Sequence, residues 1–294
     1  MTQQLVSVVA TMTACLAFSP AQAAATWDFS TGTYGSNTCA KTGSTFGNNF
    51  RCSAATGTGP GMTAYAWGSA AQNGTINPTG VAGFQQAYLS PQSSSGFGVA
   101  SKYEGLSVSA PDHSMDNSPV GNVTDMIVLH FDTAIALSTV KLGWWQTDAD
   151  FTVMAYTGAQ GQDTDAVFMD KFIKGKTTAN LTSGGAASGW AMIENSGDVD
   201  PATQPGNTRT VNTGNAAGGA KDVTSSWWLI SAYNSGFGDG SLDSVLDYMK
   251  LLGVASKDVT PTTPGKVPEP GSLALAGVAL LGMIGARRKL KQQA

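Results

Sequence analysis

The chain is 294 residues long, enough for one domain of ordinary to large size or two small ones. Charged residues make up only 12% of it, about half the ~25% of an average globular protein, and its 36 glycines stand near twice the ~7% background. Residues 1–23 carry no charge and four of the 16 basic residues fall in the last eight positions; the middle therefore sets 12 basic against 20 acidic residues, a net of −8 that excludes a basic nucleic-acid surface.

With 41% apolar residues and tryptophans in pairs, the composition argues for an exported all-β protein over a disordered chain. In chain order, Leu5 to Phe18 is an uncharged apolar run, followed by Ser19, Pro20 and Ala21-Gln22-Ala23. That triplet fits an A-x-A signal-peptidase site and predicts a signal helix over residues 1–23 with cleavage after Ala23. Met1 to Gln4 lacks the usual lysine or arginine, and Met12-Thr13-Ala14-Cys15 is a poor lipoprotein box because it leaves fewer than about ten apolar residues before the cysteine. Loss of the signal takes Cys15 with it and leaves Cys39 and Cys52, a pair expected to form one disulfide in an oxidising compartment. In the chain-entropy model closure of that loop is worth about 3 kcal/mol. A two-cysteine metal site is the weaker reading, since no C-x-x-C spacing or nearby histidine supports it.

From Thr26 to about Gly80 the chain is small and polar, suited to short strands joined by turns. Met126 to Phe131 is a compact apolar run that predicts a buried strand, and Val140, Leu142 and Trp144 alternate with Lys141 and Gly143. Phe151, Val153 and Ala155 repeat the alternation after "QTDAD", so residues 139–157 read as a hairpin. "SSWWLISAY" at 225–233 is a further strand on aromatic and β-branched content. The 158–222 region reads as long surface loops between a few strands. Residues 242–252 fit helical spacing through Leu242, Val245, Leu246 and Met249 and strand spacing equally, and the strand-rich surroundings favour a final strand. The expected fold is all-β: one jelly-roll-like β-sandwich over 24–255, then a Pro- and Thr-rich linker over 256–267.

The last segment, 268–294, is built differently. Leu273 to Gly285 is an uninterrupted apolar stretch that, with or without the flanking Ser272 and Ala286, gives about 20–23 Å of helix, short of the ~30 Å hydrocarbon core. Arg287, Arg288 and Lys289 follow it as a basic stop that snorkels and holds the extreme C-terminus in the cytoplasm. Pro268, Glu269 and Pro270 precede it, the prolines keeping the motif extended and outside the helix. A proline-bracketed acid, a short transmembrane helix and a basic end together resemble the PEP-CTERM sorting signal of Gram-negative bacteria. The resemblance implies recognition by exosortase, a membrane protease-transpeptidase, after export by signal peptidase and the secretion machinery. "HSMDNS" at 113–118, residues 125–158 and residues 227–255 resemble a family of exosortase-dependent surface proteins of proteobacteria. That implies an exported surface or matrix protein and supplies no catalytic residues.

Chemistry-bearing side chains are few. The only histidines are His113 and His130, the latter inside the apolar "MIVLHF", where a packed, hydrogen-bonded ring is the favoured reading over a catalytic one. No G-x-S-x-G, H-E-x-x-H or Walker motif occurs. Asp116, Asp148 and Asp150, with Asp239 and Asp243, are candidate oxygen ligands for calcium on sandwich loops; turn-forming aspartate is the competing explanation, and no EF-hand spacing is present. Adjacent tryptophans on a strand point to opposite faces, so each of Trp144-Trp145 and Trp227-Trp228 should send one ring inward. Trp145 and Trp227 are the candidate sugar-stacking rings. The sequence reading is thus a non-enzymatic, structural or adhesive protein of the envelope or extracellular polysaccharide matrix. A calcium-dependent carbohydrate-binding module is the alternative, and a polysaccharide-active enzyme ranks third.

Overall fold

The computed structural model describes residues 24–30, 39–69, 83–106, 113–117, 124–159, 163–183, 188–197, 207–214, 222–238, 242 and 246–257. The expected signal and sorting helices lie outside these residues. Gln22 to Val259 group as one compact unit.

Two antiparallel sheets pack face to face. The first contains β1 (Thr26–Asp28), β6 (Tyr88–Pro91), β7 (Phe97–Ala100), β8 (Met115–Asp116), β10 (Leu137–Thr147), β13 (Thr208–Thr210) and β15 (Asp247–Ser256). Its order is β13-β10-β15-β7-β6, with β1 and β8 also paired to β15. The second contains β2 (Cys39–Thr42), β3 (Asn49–Cys52), β4 (Met62–Ser69), β5 (Phe84–Gln86), β9 (Asp125–Ile135), β11 (Phe151–Tyr156), β12 (Trp190–Ser196) and β14 (Ser225–Ala232). Its order is β12-β11-β14-β9-β4-β3-β2, with β5 on β4. The sandwich expected from the sequence is the fold observed, and residues 247–256 are the final strand, whose ten residues pair with β10 along most of their length.

The central strands of the second sheet read as unbroken apolar runs because both faces of that sheet are covered. Ile127, Leu129, Phe131, Trp228, Ile230, Phe151 and Val153 point between the sheets and join Trp27, Phe29, Phe97, Val140, Met249 and Leu251 in the main core. The alternate positions Met126, Val128, Trp227, Leu229, Met154 and Tyr156 point the other way, under a layer of two helices. These helices correct the expectation of loops over 158–222. In α1 (Asp165–Phe172) the Thr164 side chain caps the first turn by accepting from the Val167 amide, and Asp165 and Lys171 sit at the ends that the helix dipole favours. Before α2 (Thr178–Ser183), Thr177 and Asn180 exchange side-chain-to-amide hydrogen bonds of 3.1 Å in both directions, a reciprocal cap. Phe168, Met169 and Leu181 of these helices are buried, together with Ile173 just after α1.

The 139–157 hairpin is also corrected. β10 pairs with β13 and β15 whereas β11 pairs with β12 and β14, so "QTDAD" arches from one sheet to the other. Both strands alternate because both present a face to the same core, to which Val140 and Leu142 contribute from one sheet and Phe151 and Val153 from the other.

Candidate metal centre

The arch and its surroundings carry two carboxylate clusters. In the first, one oxygen each from Glu104, Asp116 and Asp125 lies within 4.8 Å of the others. Three different elements deliver them. Asp125 opens β9 in the second sheet, opposite Gly68 of β4. A Cβ on Gly68 would stand 2.5 Å from Asp125 Oδ1, so glycine leaves the space that the carboxylate occupies. Asp116 ends β8 in the first sheet, opposite Tyr248. Glu104 belongs to the turn after β7, where its Oε2 accepts from the Ser101 amide at 2.6 Å and the Ser101 hydroxyl accepts from the Glu104 amide at 3.4 Å. Asp125 is 0% exposed, and neither of its carboxylate oxygens has a hydrogen-bond partner. Burial, with the like charges of Glu104 and Asp116, pushes the Asp125 carboxyl well above the usual carboxylate range.

The second cluster joins Asp148, Asp150 and Asp247, all buried. Here backbone and amide donors are already in place. Asp247 Oδ1 accepts from the Asp150 amide at 2.6 Å, its Oδ2 from Asn117 Nδ2 at 2.5 Å, and Asn117 Oδ1 accepts from the Asp247 amide at 2.8 Å. Asp148 Oδ1 accepts from the Ala149 amide at 2.7 Å. This set pins the arch between the sheets to β15 and to Asn117, as turn-stabilising aspartates do.

The expected calcium ligands are therefore divided: Asp116 belongs to one cluster, Asp148 and Asp150 to the other, and Asp239 and Asp243 lie outside the described residues. Glu104, Asp125 and Asp247 escaped the sequence reading. Asp125 sits at the head of an apolar run, Glu104 in "SKYEG" and Asp247 in "LDYMK", with no ligand-like spacing among them. Their convergence depends on strand pairing between distant segments.

The tryptophans are placed against the sugar-stacking reading. Trp227 is 2% exposed, its ring stacked between His130 and Phe168 at centroid distances of 3.9 Å each. α1 covers the face that a sugar would need. Trp228 lies in the main core, its indole N–H donating to Ser225 O at 2.9 Å. In the other pair Trp145 is the inward ring, because irregularities in the β10–β15 register around Gly143 shift the alternation by one residue. Trp144 is half-buried, with Lys250 Nζ 4.5 Å from its ring centroid. Burial lowers the Lys250 ammonium below the ordinary lysine range.

His130 is tied as well as stacked. Its Nδ1 lies 2.9 Å from Asp165 Oδ1, and the Tyr65 hydroxyl donates to the other oxygen of the same carboxylate. Burial alone would raise Asp165, but the hydrogen bonds from His130 and Tyr65 outweigh it and hold the carboxyl below its usual range. The network fastens the first turn of α1 to β4 and β9. Beside it Arg51 forms a two-pronged ion pair with Asp132. At the other side of the sheet Cys39 and Cys52 are disulfide-bonded, as expected, and sit directly opposite each other on β2 and β3.

A disulfide-bonded, antiparallel β-sandwich with sparse charge is the class of protein built for life outside the cytoplasm. Residues 266–289 match the family model described as the PEP-CTERM protein-sorting motif, a span that contains Pro268, Glu269, Pro270 and Arg287 to Lys289. The chain thus carries a PEP-CTERM sorting motif, and that motif implies export and exosortase processing in association with the membrane, toward the cell surface. The sorting residues, like the Ala23 cleavage position, lie outside the described residues. Comparison with curated proteins and with solved structures returns no match for the chain.

Proposed function

We propose that the sandwich is a non-catalytic structural or adhesive module of the envelope or extracellular polysaccharide matrix of a Gram-negative bacterium. Signal peptidase removes residues 1–23, and exosortase acts at Pro268-Glu269-Pro270 once the chain has crossed the inner membrane. The observation that carries this reading is where the aromatic side chains go. Trp27, Trp67, Trp227 and Trp228 are all buried, and the large hydrophobic residues exposed among those described are Leu106 and Val167. A module that holds its aromatics for packing has stability as its main product. The half-buried Trp144 under Lys250 is a poor platform, since a cation already occupies the neighbourhood of its ring. A glycan array probed with the purified chain tests the reading. The expected result is no selective glycan; tight, selective capture of one polysaccharide that is lost in Trp144→Ala would replace the structural role with a carbohydrate-binding one.

A further inference from the structure

We propose that Glu104, Asp116 and Asp125 form a calcium site that clamps the two sheets together at one end of the sandwich. The supply of the ion rests on the exported location argued above; the site itself rests on geometry. Three carboxylate oxygens within 4.8 Å of one another match a hard cation, for which ligand oxygens on opposite sides of an ion bound at about 2.4 Å stand about 4.8 Å apart. Acidic clusters are common without a metal, and the second cluster, in which Asp148 and Asp247 already accept hydrogen bonds from backbone and Asn117 amides, carries no such proposal.

Asp125 makes the first cluster different. It is wholly inside the protein, both of its oxygens lack a donor, and they face two further carboxylates. Buried polar atoms without partners are rare in folded proteins, and a buried charge needs a counter-charge. The donor set, made entirely of carboxylates with neither cysteine nor histidine in it, suits calcium over zinc or copper. Magnesium is a worse fit, because it demands near-ideal octahedral geometry and keeps its waters. Glu104, half-buried on a turn, leaves a side open through which the ion exchanges and waters complete its shell. Gly68 gives Asp125 Oδ1 the room to reach the ion.

The placement has a consequence for export. Asp116 belongs to the first sheet and Asp125 to the second, so the ion bridges elements that pack only in the finished sandwich. Sites of extracellular modules bind calcium with Kd of about 10⁻⁴ to 10⁻³ M. A site in that range is empty at cytoplasmic calcium and fills outside, which tightens the fold after translocation.

The test follows thermal unfolding of the full chain in mild detergent after chelator treatment, titrated with CaCl2 at constant ionic strength, with MgCl2 as the comparison. At a hundredfold excess over Kd the expected upward shift in Tm is about 5–11 °C, from mass action on a unit of this size. Asp125→Asn should abolish the shift while folding normally, since the amide removes the orphaned charge. Should that variant fail to fold, Glu104→Gln on the turn serves in its place and should weaken calcium binding at least about tenfold by calorimetry. Asp148→Asn should leave the shift intact. No shift at 10 mM calcium overturns the proposal, and so does a shift that survives Asp125→Asn or Glu104→Gln but is lost in Asp148→Asn. None of these readouts depends on sorting, so failure of the site and failure of the exosortase reading are separable.

Discussion

Replacing Trp227 with alanine separates a core tryptophan from a sugar platform. The ring is 2% exposed and lies between His130 and Phe168, parallel to both at an interplanar angle of 6°. Emptying such a position costs about 3–5 kcal/mol in lost transfer free energy and residual cavity. The two stacked contacts, each worth about 0.5–1.5 kcal/mol beyond area burial, favour the upper half of that range. For a unit of this size each kcal/mol lowers Tm by about 2–4 °C, so a fall of about 6–20 °C is expected. The near-UV circular dichroism of the stack should change as well. Thermal unfolding of the variant and parent under identical conditions is the assay. A Tm within about 2 °C of the parent, less than roughly 1 kcal/mol, would mean that α1 does not cover the ring and would refute the assignment of the outer core.

Other perturbations reach different parts of the fold. Cys39→Ser with Cys52→Ser should lower stability by about 3 kcal/mol, and reducing agent should lower the Tm of the parent but leave that of the double variant unchanged. Because Asp165 is held below its usual range in the folded state, its contribution is present above the unfolded carboxyl value near 3.9 and is lost as pH falls through the folded one. The Tm gap between the parent and Asp165→Asn should therefore be widest near pH 6 and shrink towards pH 3; a gap that widens on acidification would contradict the network. A Cβ on Gly98 would lie 1.8 Å from His113 O, so Gly98→Ala should cost about 1–3 kcal/mol or more, whereas Gly238→Ala meets no atom within 4 Å and pays only for its positive φ.

The parts of this fold that were legible in the sequence are those that local chemistry dictates. "MIVLHF", "SSWWLISAY" and the Asp247–Ser256 strand announce themselves through β-branched and aromatic content, and the cysteine pair through the export signal. What local patterning does not encode is which sheet a strand joins. The alternation on each side of "QTDAD" suits a hairpin and a two-sheet arch equally, because either way one face is buried. The helices were hidden for a related reason. "DAVFMDKF" is a short, weakly amphipathic stretch whose helicity is completed by the outer face of β9 and β14, a partner that no nearby residue signals. Turn-like aspartates point to Asp116 in one acidic cluster and to Asp148 and Asp150 in the other, but Asp125 is concealed by the apolar strand behind it.

The most direct measurement of the protein's destination is made on the sorting motif. With Pro268, Glu269 and Pro270 replaced by alanine in the full chain, expressed in a host that carries an exosortase, cell fractions are followed by immunoblot and the mature C-terminus by mass spectrometry. The uncleaved chain should accumulate in the membrane while the unaltered protein is processed and reaches the cell surface. Processing of the altered protein at the same site and rate as the parent would contradict exosortase sorting.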